Sequence, residues 1–288
     1  MIVVYSSLIS TTFCKHRSNK TLYNAKLIDC NGYCQLYTFS NDKIISIEKK
    51  ENKQTKIDIS ILDTDLLKKT DNNSSIDNSN EIDLKNIIRS KLQCQRIAKC
   101  NSNIWETFIT LTFSDNITDI KIANKEFNKF ISKIKRVYKN FKYICVPEFQ
   151  KRGAVHYHLL TNININNEKL IYKQIDNSKF SHIKYWNNGF DKIEIIKGDI
   201  KKIIGYISKY MTKDIDNRLF GKHRYMYSQN LNKPVISYLD LSNEKHIEFL
   251  NNILNNKNLI YSNEYLNEFF NEKINFQEFL INNDIEKK

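Results

Sequence analysis

The sequence predicts an α+β fold built from an antiparallel hairpin, further strand-like runs and amphipathic helices. Residues 141–161 hold two β-branched and aromatic runs separated by a turn that contains Gly153. Residues 119–138 repeat apolar side chains at helical spacing. The hydrophobic fraction of 41% is that of a globular chain that buries a core.

The N-terminal third predicts strands, a linker and a helix. Residues 1–70 contain short strand-like runs such as CQLYTFS and KIISIE, which predict a small β-rich region. Residues 71–85 are rich in Asn, Ser and Asp, as in a polar linker. A basic helix is predicted over residues 83–100. A main domain is expected over residues 86–240.

The rest of the chain alternates strand and helix patterns. Strands are predicted over residues 105–113, 141–150, 154–161 and 189–196, and helices over residues 119–138 and 199–213. The tail, residues 241–288, is predicted to be helical, and residues 263–280 are its clearest amphipathic piece.

Charge is unevenly distributed along the chain. The net charge is +13, and residues 86–240 hold 28 Lys and Arg against 13 Asp and Glu, whereas residues 241–288 hold 5 Lys against 8 acidic residues. A basic middle region favours a polyanionic partner, most simply nucleic acid. A surface of solvated lysines is the alternative.

Cysteine spacing and hydropathy exclude several other classes. The cysteines do not form the C-x-x-C pairs of a zinc ribbon, so we expect reduced thiols. Residues 2–13 lack the basic start and cleavage site of a signal peptide, and no apolar run is long enough to span a bilayer. We therefore expect a cytoplasmic protein with no membrane partner. The six cysteines are Cys14, Cys30, Cys34, Cys94, Cys100 and Cys145.

The turn at residues 151–153 decides what the two neighbouring histidines can do. A three-residue loop ending in Gly pairs Glu148 with His156, so that Glu148, Gln150, His156 and His158 share one face. A two-residue loop would separate the acid from the histidines. Two imidazoles, a carboxylate and an amide favour an open site for Mn²⁺ or Mg²⁺ over a merely polar strand face.

The helix predicted over residues 199–213 carries two tyrosines and two lysines in one sector. Tyr206, Lys209, Tyr210 and Lys213 flank an apolar stripe of isoleucines. Taken alone, this pattern is typical of an amphipathic helix whose tyrosines border the core. A tyrosine nucleophile would need the same setting, because a phenol with a pKa near 10 ionises more readily beside cations.

Three motifs in this order resemble those of HUH endonucleases, the rolling-circle replication initiators of phages and plasmids. They are TFITLTF (residues 107–113), EFQKRGAVHYH (148–158) and YISKYMTK (206–213). The last is similar to the Y-x-x-K-Y-x-x-K motif of the two-tyrosine replication proteins of small single-stranded DNA phages. WNNGFDKIEI (186–195) also resembles replication proteins, and the resemblance covers about residues 86–235.

The resemblance implies a fold and a set of site residues. The fold is a central antiparallel sheet of about five strands flanked by helices, with the histidine strand in the middle. The metal ligands are His156, His158 and Glu148, with Gln150 as the alternate third ligand. The nucleophiles and the lysines beside them are Tyr206, Tyr210, Lys209 and Lys213.

The function implied is nicking and rejoining of single-stranded origin DNA through a 5′-phosphotyrosine intermediate. No G-x-x-x-x-G-K-[ST] motif occurs, so we expect a separate helicase and a host polymerase as partners. A transposase, a mobilisation relaxase and a non-catalytic DNA-binding protein are the alternatives. The residues expected to contact DNA are Arg152, Lys151, Lys133, Lys135 and Arg136.

Overall fold

The computed structural model describes residues 20–30, 32–46, 78–173, 181–196, 204–205, 207, 223–267 and 271–281. The chain groups into two compact units. Unit 1 comprises residues 1–58 and 235–288, and unit 2 comprises residues 59–234.

Twelve strands and three α-helices have their bounds within the described residues. In chain order they are β1 (Lys20–Asp29), β2 (Tyr33–Ser46), α1 (Asn78–Cys100), β3 (Thr107–Thr112), α2 (Ile120–Val137), β4 (Tyr143–Phe149), β5 (Val155–Thr161), β6 (Ile171–Lys173), β7 (Ser181–Ile183), β8 (Asp191–Ile195), β9 (Met226–Tyr227), β10 (Val235–Leu239), α3 (Glu244–Leu254), β11 (Lys257–Asn267) and β12 (Glu272–Ile281). A short 3₁₀ turn, Ser102–Ile104, follows α1.

Unit 2 is built around a five-stranded sheet in the order β8-β3-β5-β4-β9. Every neighbouring pair is antiparallel. Strand β5, which carries both histidines, is the middle strand. The α+β class with an antiparallel sheet is therefore confirmed.

Helix α2 covers one face of this sheet. Its N-terminus is capped by Asp119, whose carboxylate accepts a hydrogen bond from the Lys121 backbone N–H at 2.7 Å. The apolar side of the helix packs on alternate residues of β5, and the ring of Phe127 stacks on that of Tyr157 at 4.5 Å. This aromatic core fixes which side chains of β5 must point the other way.

The opposite face of the sheet packs against α1. Cys94, Ile97 and Ala98 of that helix join Phe108 and Leu160 of the sheet in a second apolar cluster. Since Leu160 alternates with the histidines along β5, this cluster lies on their side of the sheet. Unit 2 thus has three layers: α2, the sheet and α1.

Unit 1 contains a second five-stranded antiparallel sheet, in the order β10-β1-β2-β12-β11. Helix α3 packs on one face, where Leu250 meets Ala25, Leu27 and Leu36. Strands from both ends of the chain are therefore neighbours in one sheet.

The helical prediction for the tail is wrong beyond residue 254. Only Glu244–Leu254 is helical, and residues 257–267 and 272–281 form β11 and β12. Phe276 of β12 pairs with Tyr37 of β2, and their rings lie 4.7 Å apart. Pairing with strands distant in sequence outweighs a local pattern that also fits a helix.

The predicted linker is also partly wrong, since α1 begins at Asn78 and takes up the second half of residues 71–85. The five described cysteines are buried and free; Cys14 lies outside the described residues. Among the described residues, no helix has the length and apolar character needed to cross a bilayer.

Candidate metal and nucleic-acid site

The β4–β5 hairpin has the three-residue turn that the sequence predicts. Gln150 N–H donates to the Ala154 carbonyl at 2.8 Å, and Gly153 N–H donates to the Gln150 carbonyl at 2.7 Å. Gly153 has φ of +92°, a conformation that costs other residues steric strain. The resulting register pairs Glu148 with His156.

His158 is held on three sides. Its Nε2 lies 2.7 Å from a Glu148 carboxylate oxygen, and its Nδ1 lies 3.3 Å from the Thr110 hydroxyl. The ring of Phe108 stacks beside it at 5.9 Å. A proton on Nε2 is donated to the carboxylate, while Thr110 is able to donate to or accept from Nδ1. Thr110 therefore suits either tautomer of the imidazole.

His156 is buried, and its Nε2 has no hydrogen-bond partner among the described residues. Burial lowers its pKa to about 4, with His158 and Arg152 contributing in the same direction. The imidazole is thus neutral at pH 7. A buried imidazole nitrogen without a partner costs about 1–3 kcal/mol unless a ligand engages it.

The donor set fits a divalent cation, although the side chains do not form a closed site. Two neutral imidazoles and a carboxylate on one sheet face match the ligand preference of Mn²⁺ and tolerate Mg²⁺. Within the described part of the chain, however, no three His, Cys, Asp or Glu side chains are arranged to hold an ion. Glu148 instead bonds directly to His158.

The turn residues contact the protein itself. Arg152 Nε–H donates to the Gln150 side-chain oxygen at 2.9 Å, and its terminal nitrogen donates to the Phe113 carbonyl at 3.1 Å. The oxygen of the alternate ligand, Gln150, is therefore engaged by a guanidinium. Lys151 is exposed at the tip of the hairpin.

Register across the sheet adds residues to the histidine face that sequence reasoning missed. Thr112 pairs with His156, and Thr110 pairs with His158 on one side and with Lys192 of β8 on the other. Paired residues share a face, so Lys192 belongs to the same surface. The T-x-T spacing of β3 predicts two threonines on one face, but only tertiary pairing shows which face.

The residues with the predicted nucleophile role, Tyr206, Lys209, Tyr210 and Lys213, lie outside the described residues. Two isoleucines of the same segment are described. Ile204 and Ile207 are helical and buried in the apolar cluster that contains Phe108 and Leu160. Part of the predicted apolar stripe thus packs on the sheet face that presents the histidines.

Helix α2 presents a basic outer face on the other side of the sheet. Its side chains line a shallow concavity, and Lys129 is paired there with Glu126 at 2.7 Å. Lys135 is not part of this lining, and its ammonium lies 5.8 Å from the centroid of the Tyr143 ring. We call the lining cations the α2 basic face: Lys121, Lys125, Lys129, Lys133 and Arg136.

An antiparallel sheet with two central histidines and a basic surface describes a candidate site for acting on a polyanion. Comparison with known proteins makes this more specific: residues 106–215 match the replication-associated protein ORF2 family. The match runs from the residue before β3 through both histidines and both tyrosines.

One curated relative leads in the same direction. The phasyl DNA replicon protein arp of Escherichia coli is 31% identical over 128 residues, which are 38% of this chain and 44% of that protein. The chain thus spans less than half the length of this relative. No solved structure matches it. Both matches support a role in the initiation of DNA replication.

Proposed function

We propose that the protein is a metal-dependent, site-specific endonuclease that nicks single-stranded origin DNA and starts rolling-circle replication. One observation carries the proposal. A buried, neutral imidazole nitrogen of His156 has no partner among the described residues, beside His158 and Glu148, in the segment that matches a replication-associated family.

His156, His158 and Glu148 would hold Mg²⁺ or Mn²⁺, and the bound ion would supply Lewis-acid polarisation of the scissile phosphate. His156 presents a lone pair without losing a proton, since it is neutral at pH 7. His158 must release its Nε2 proton, after which its Nδ1–H donates to the Thr110 hydroxyl. Gln150 is the substitute third ligand.

The nucleophile is Tyr206 or Tyr210. Its phenolate oxygen forms a bond to the phosphorus, the bond to the 3′-oxygen breaks, and that oxygen takes up a proton to become a free 3′-OH. Lys209 and Lys213 favour the phenolate and offset the charge of the phosphate. The 5′-phosphotyrosine ester conserves the bond energy, so the reverse reaction rejoins strands without ATP.

Two described isoleucines support this choice of nucleophile. Ile204 and Ile207 flank Tyr206 in the sequence and are buried in the cluster on the histidine side of the sheet. A helicase and a polymerase would be separate proteins. Lys151, Arg152 and the α2 basic face would make phosphate contacts, and these dominate non-specific affinity.

A non-catalytic DNA-binding protein is the second candidate. The direct bond between Glu148 and His158 favours it, because that pair satisfies both groups without an ion. It predicts DNA binding with no metal-dependent cleavage. A transposase or relaxase would share the chemistry and differ only in its DNA target.

The test is cleavage of the single-stranded origin of the protein's own replicon in Mn²⁺ and in EDTA. Mass spectrometry of the digested adduct identifies which tyrosine peptide carries the oligonucleotide. We expect an adduct on Tyr206 or Tyr210, and its complete loss in the Tyr206→Phe/Tyr210→Phe double variant. Full cleavage in EDTA, or an adduct on neither tyrosine, would exclude the proposal.

A further inference from the structure

Phe190 is the most exposed large hydrophobic side chain among the described residues, at 75%. It lies in the WNNGFDKIEI segment, whose resemblance to replication proteins the histidine site does not explain. A phenyl ring left in water forgoes the stabilisation of burial. Such a residue close to a candidate site calls for a ligand with an apolar face.

The backbone of Phe190 is held firmly. Its carbonyl accepts a hydrogen bond from Thr112 N–H at 2.7 Å, and the Asn188 carbonyl accepts one from Ser114 N–H at 2.9 Å. Gly189 between them has φ of +151°, and a Cβ there would lie 2.3 Å from both Ser114 N and the Thr112 carbonyl oxygen. Only glycine permits this close approach to the end of β3.

Strand register places Phe190 in line with the histidine site. The bond from Thr112 N–H continues the β3–β8 pairing by one residue, so Phe190 is opposite Thr112. Thr112 is opposite His156, which is opposite Glu148. These four residues form one row across the sheet face. Phe190 is two strands from His156, about 10 Å at a strand spacing near 4.8 Å.

Lys192 occupies the next row on the same face, in line with Thr110 and His158. Its ammonium lies 2.8 Å from the Glu194 carboxylate, and both side chains are about half exposed. Exposed pairs of this kind contribute little stability. A phosphate is therefore able to replace Glu194 at small cost.

We propose that Phe190 and Lys192 form a nucleotide-binding subsite for single-stranded DNA beside the histidine site. A base stacks on the Phe190 ring, and Lys192 contacts the adjoining phosphate. Aromatic side chains bind unpaired bases in this way, whereas bases in a duplex are already stacked on each other. The subsite deepens the proposed endonuclease function and rests on it for its purpose.

Binding of a fluorescein-labelled dT₁₂ oligonucleotide in EDTA tests the subsite without cleavage. We expect Phe190→Ala to raise Kd about tenfold and Phe190→Trp to keep or lower it. Tyr172→Ala is the matched control, because Tyr172 is also an exposed aromatic residue of unit 2, at 59%. The Phe190 variants should unfold at the wild-type temperature, since the ring is exposed.

The lysine has its own diagnostic pair of variants. Lys192→Gln should weaken dT₁₂ binding, and Glu194→Gln should strengthen it by releasing the ammonium. An unchanged Kd in Glu194→Gln would mean that Lys192 only partners Glu194.

Direct contact is tested by photo-crosslinking an oligonucleotide that contains 5-iododeoxyuridine, followed by peptide mapping. A crosslink to Phe190 supports the subsite. Wild-type dT₁₂ affinity in Phe190→Ala, or an equal loss of affinity for a duplex, would overturn it. A dimer that dissociates in Phe190→Ala would instead identify a protein interface.

The two proposals fail independently. If nicking persists in EDTA but Phe190→Ala loses dT₁₂ binding, the subsite stands and the metal mechanism falls. If nicking needs metal and tyrosine but Phe190→Ala binds dT₁₂ as wild type does, the reverse holds.

Discussion

Each unit buries one carboxylate against a basic side chain on a five-stranded sheet, but the partners differ in kind. In unit 1, Glu272 is fully buried and pairs with the ammonium of Lys43. In unit 2, Glu148 bonds to the imidazole of His158, while neighbouring His156 has a buried Nε2 without a partner among the described residues.

The difference separates a structural pair from a candidate reactive one. A lysine holds its charge throughout the physiological range and has no lone pair to offer while charged, so Lys43 serves only to neutralise Glu272. An imidazole exchanges protons near neutral pH and binds metals. The unit with the imidazoles also contains the segment that matches the replication-associated family.

The largest expected effect is on cleavage. The His156→Ala/His158→Ala double variant should nick origin DNA about a thousandfold more slowly, since a Lewis acid contributes several kcal/mol to the transition state. DNA binding should be largely retained, because phosphate contacts elsewhere supply it. His246→Ala in unit 1 is the control and should cleave as wild type does; wild-type nicking by the double variant would remove the contrast between the units.

Lys43→Met should destabilise unit 1 by about 3–5 kcal/mol, because it leaves the Glu272 charge buried and unpaired. Urea denaturation followed by circular dichroism measures the loss. The Lys43→Met/Glu272→Leu double variant is the control and should recover most of it.

Glu148→Gln provides the matching variant in unit 2. Its amide oxygen still accepts a hydrogen bond from His158, so stability should change by less than about 1 kcal/mol. A loss as large as that in Lys43→Met would show that both carboxylates are structural.

Charge removal on the α2 basic face should weaken DNA binding about tenfold near 0.1 M salt. In the Lys125→Gln/Lys133→Gln variant, the slope of log K against log salt should fall by about 1 to 2, because about 0.7 counterions are released per phosphate of a single strand. Lys245→Gln/Lys273→Gln in unit 1 is the control with equal charge loss. Equal slopes in the two variants would mean that only net charge matters.

The smallest effect is a pH dependence of stability. The pKa of His156 is lowered to about 4 in the fold, against an ordinary value near 6.5. Between these values the unfolded chain binds a proton that the folded chain does not, so unfolding free energy falls as pH falls.

Between pH 6.5 and 5.5 in EDTA, we expect His156 to contribute a loss of about 1 kcal/mol. Urea denaturation of wild type and His156→Gln at both pH values measures this contribution as the difference between their losses. Parallel pH profiles would show that His156 titrates normally in the fold.

Local signals were enough to predict the hairpin and the composition of the site. The Lys-Arg-Gly turn constrains strand register over only a few residues, so Glu148 and the histidines could be assigned to one face. The apolar stripe of α2 was equally local, and all its predicted contacts with the sheet are on one side of the helix. The roles of Tyr206, Tyr210 and the metal ligands stay predictions.

Long-range pairing could not be predicted in the same way. Residues 257–281 have an amphipathic pattern that fits a helix, yet they form β11 and β12 because β2 offers a partner strand. Phe190 and Lys192 joined the histidine face only through the pairing of β8 with β3. No local signal links residues 190 and 156.

The sequence by itself therefore determined the turn chemistry, the alternation that separates the histidines from the core, and the excess of positive charge between residues 86 and 240. Each of these depends on neighbours within a few residues or on composition alone. Tertiary structure decided which strands are adjacent, that Glu148 meets His158 rather than water, and that Phe190 is in line with His156. Those outcomes depend on how distant segments share one buried surface, and that free energy belongs to no single segment.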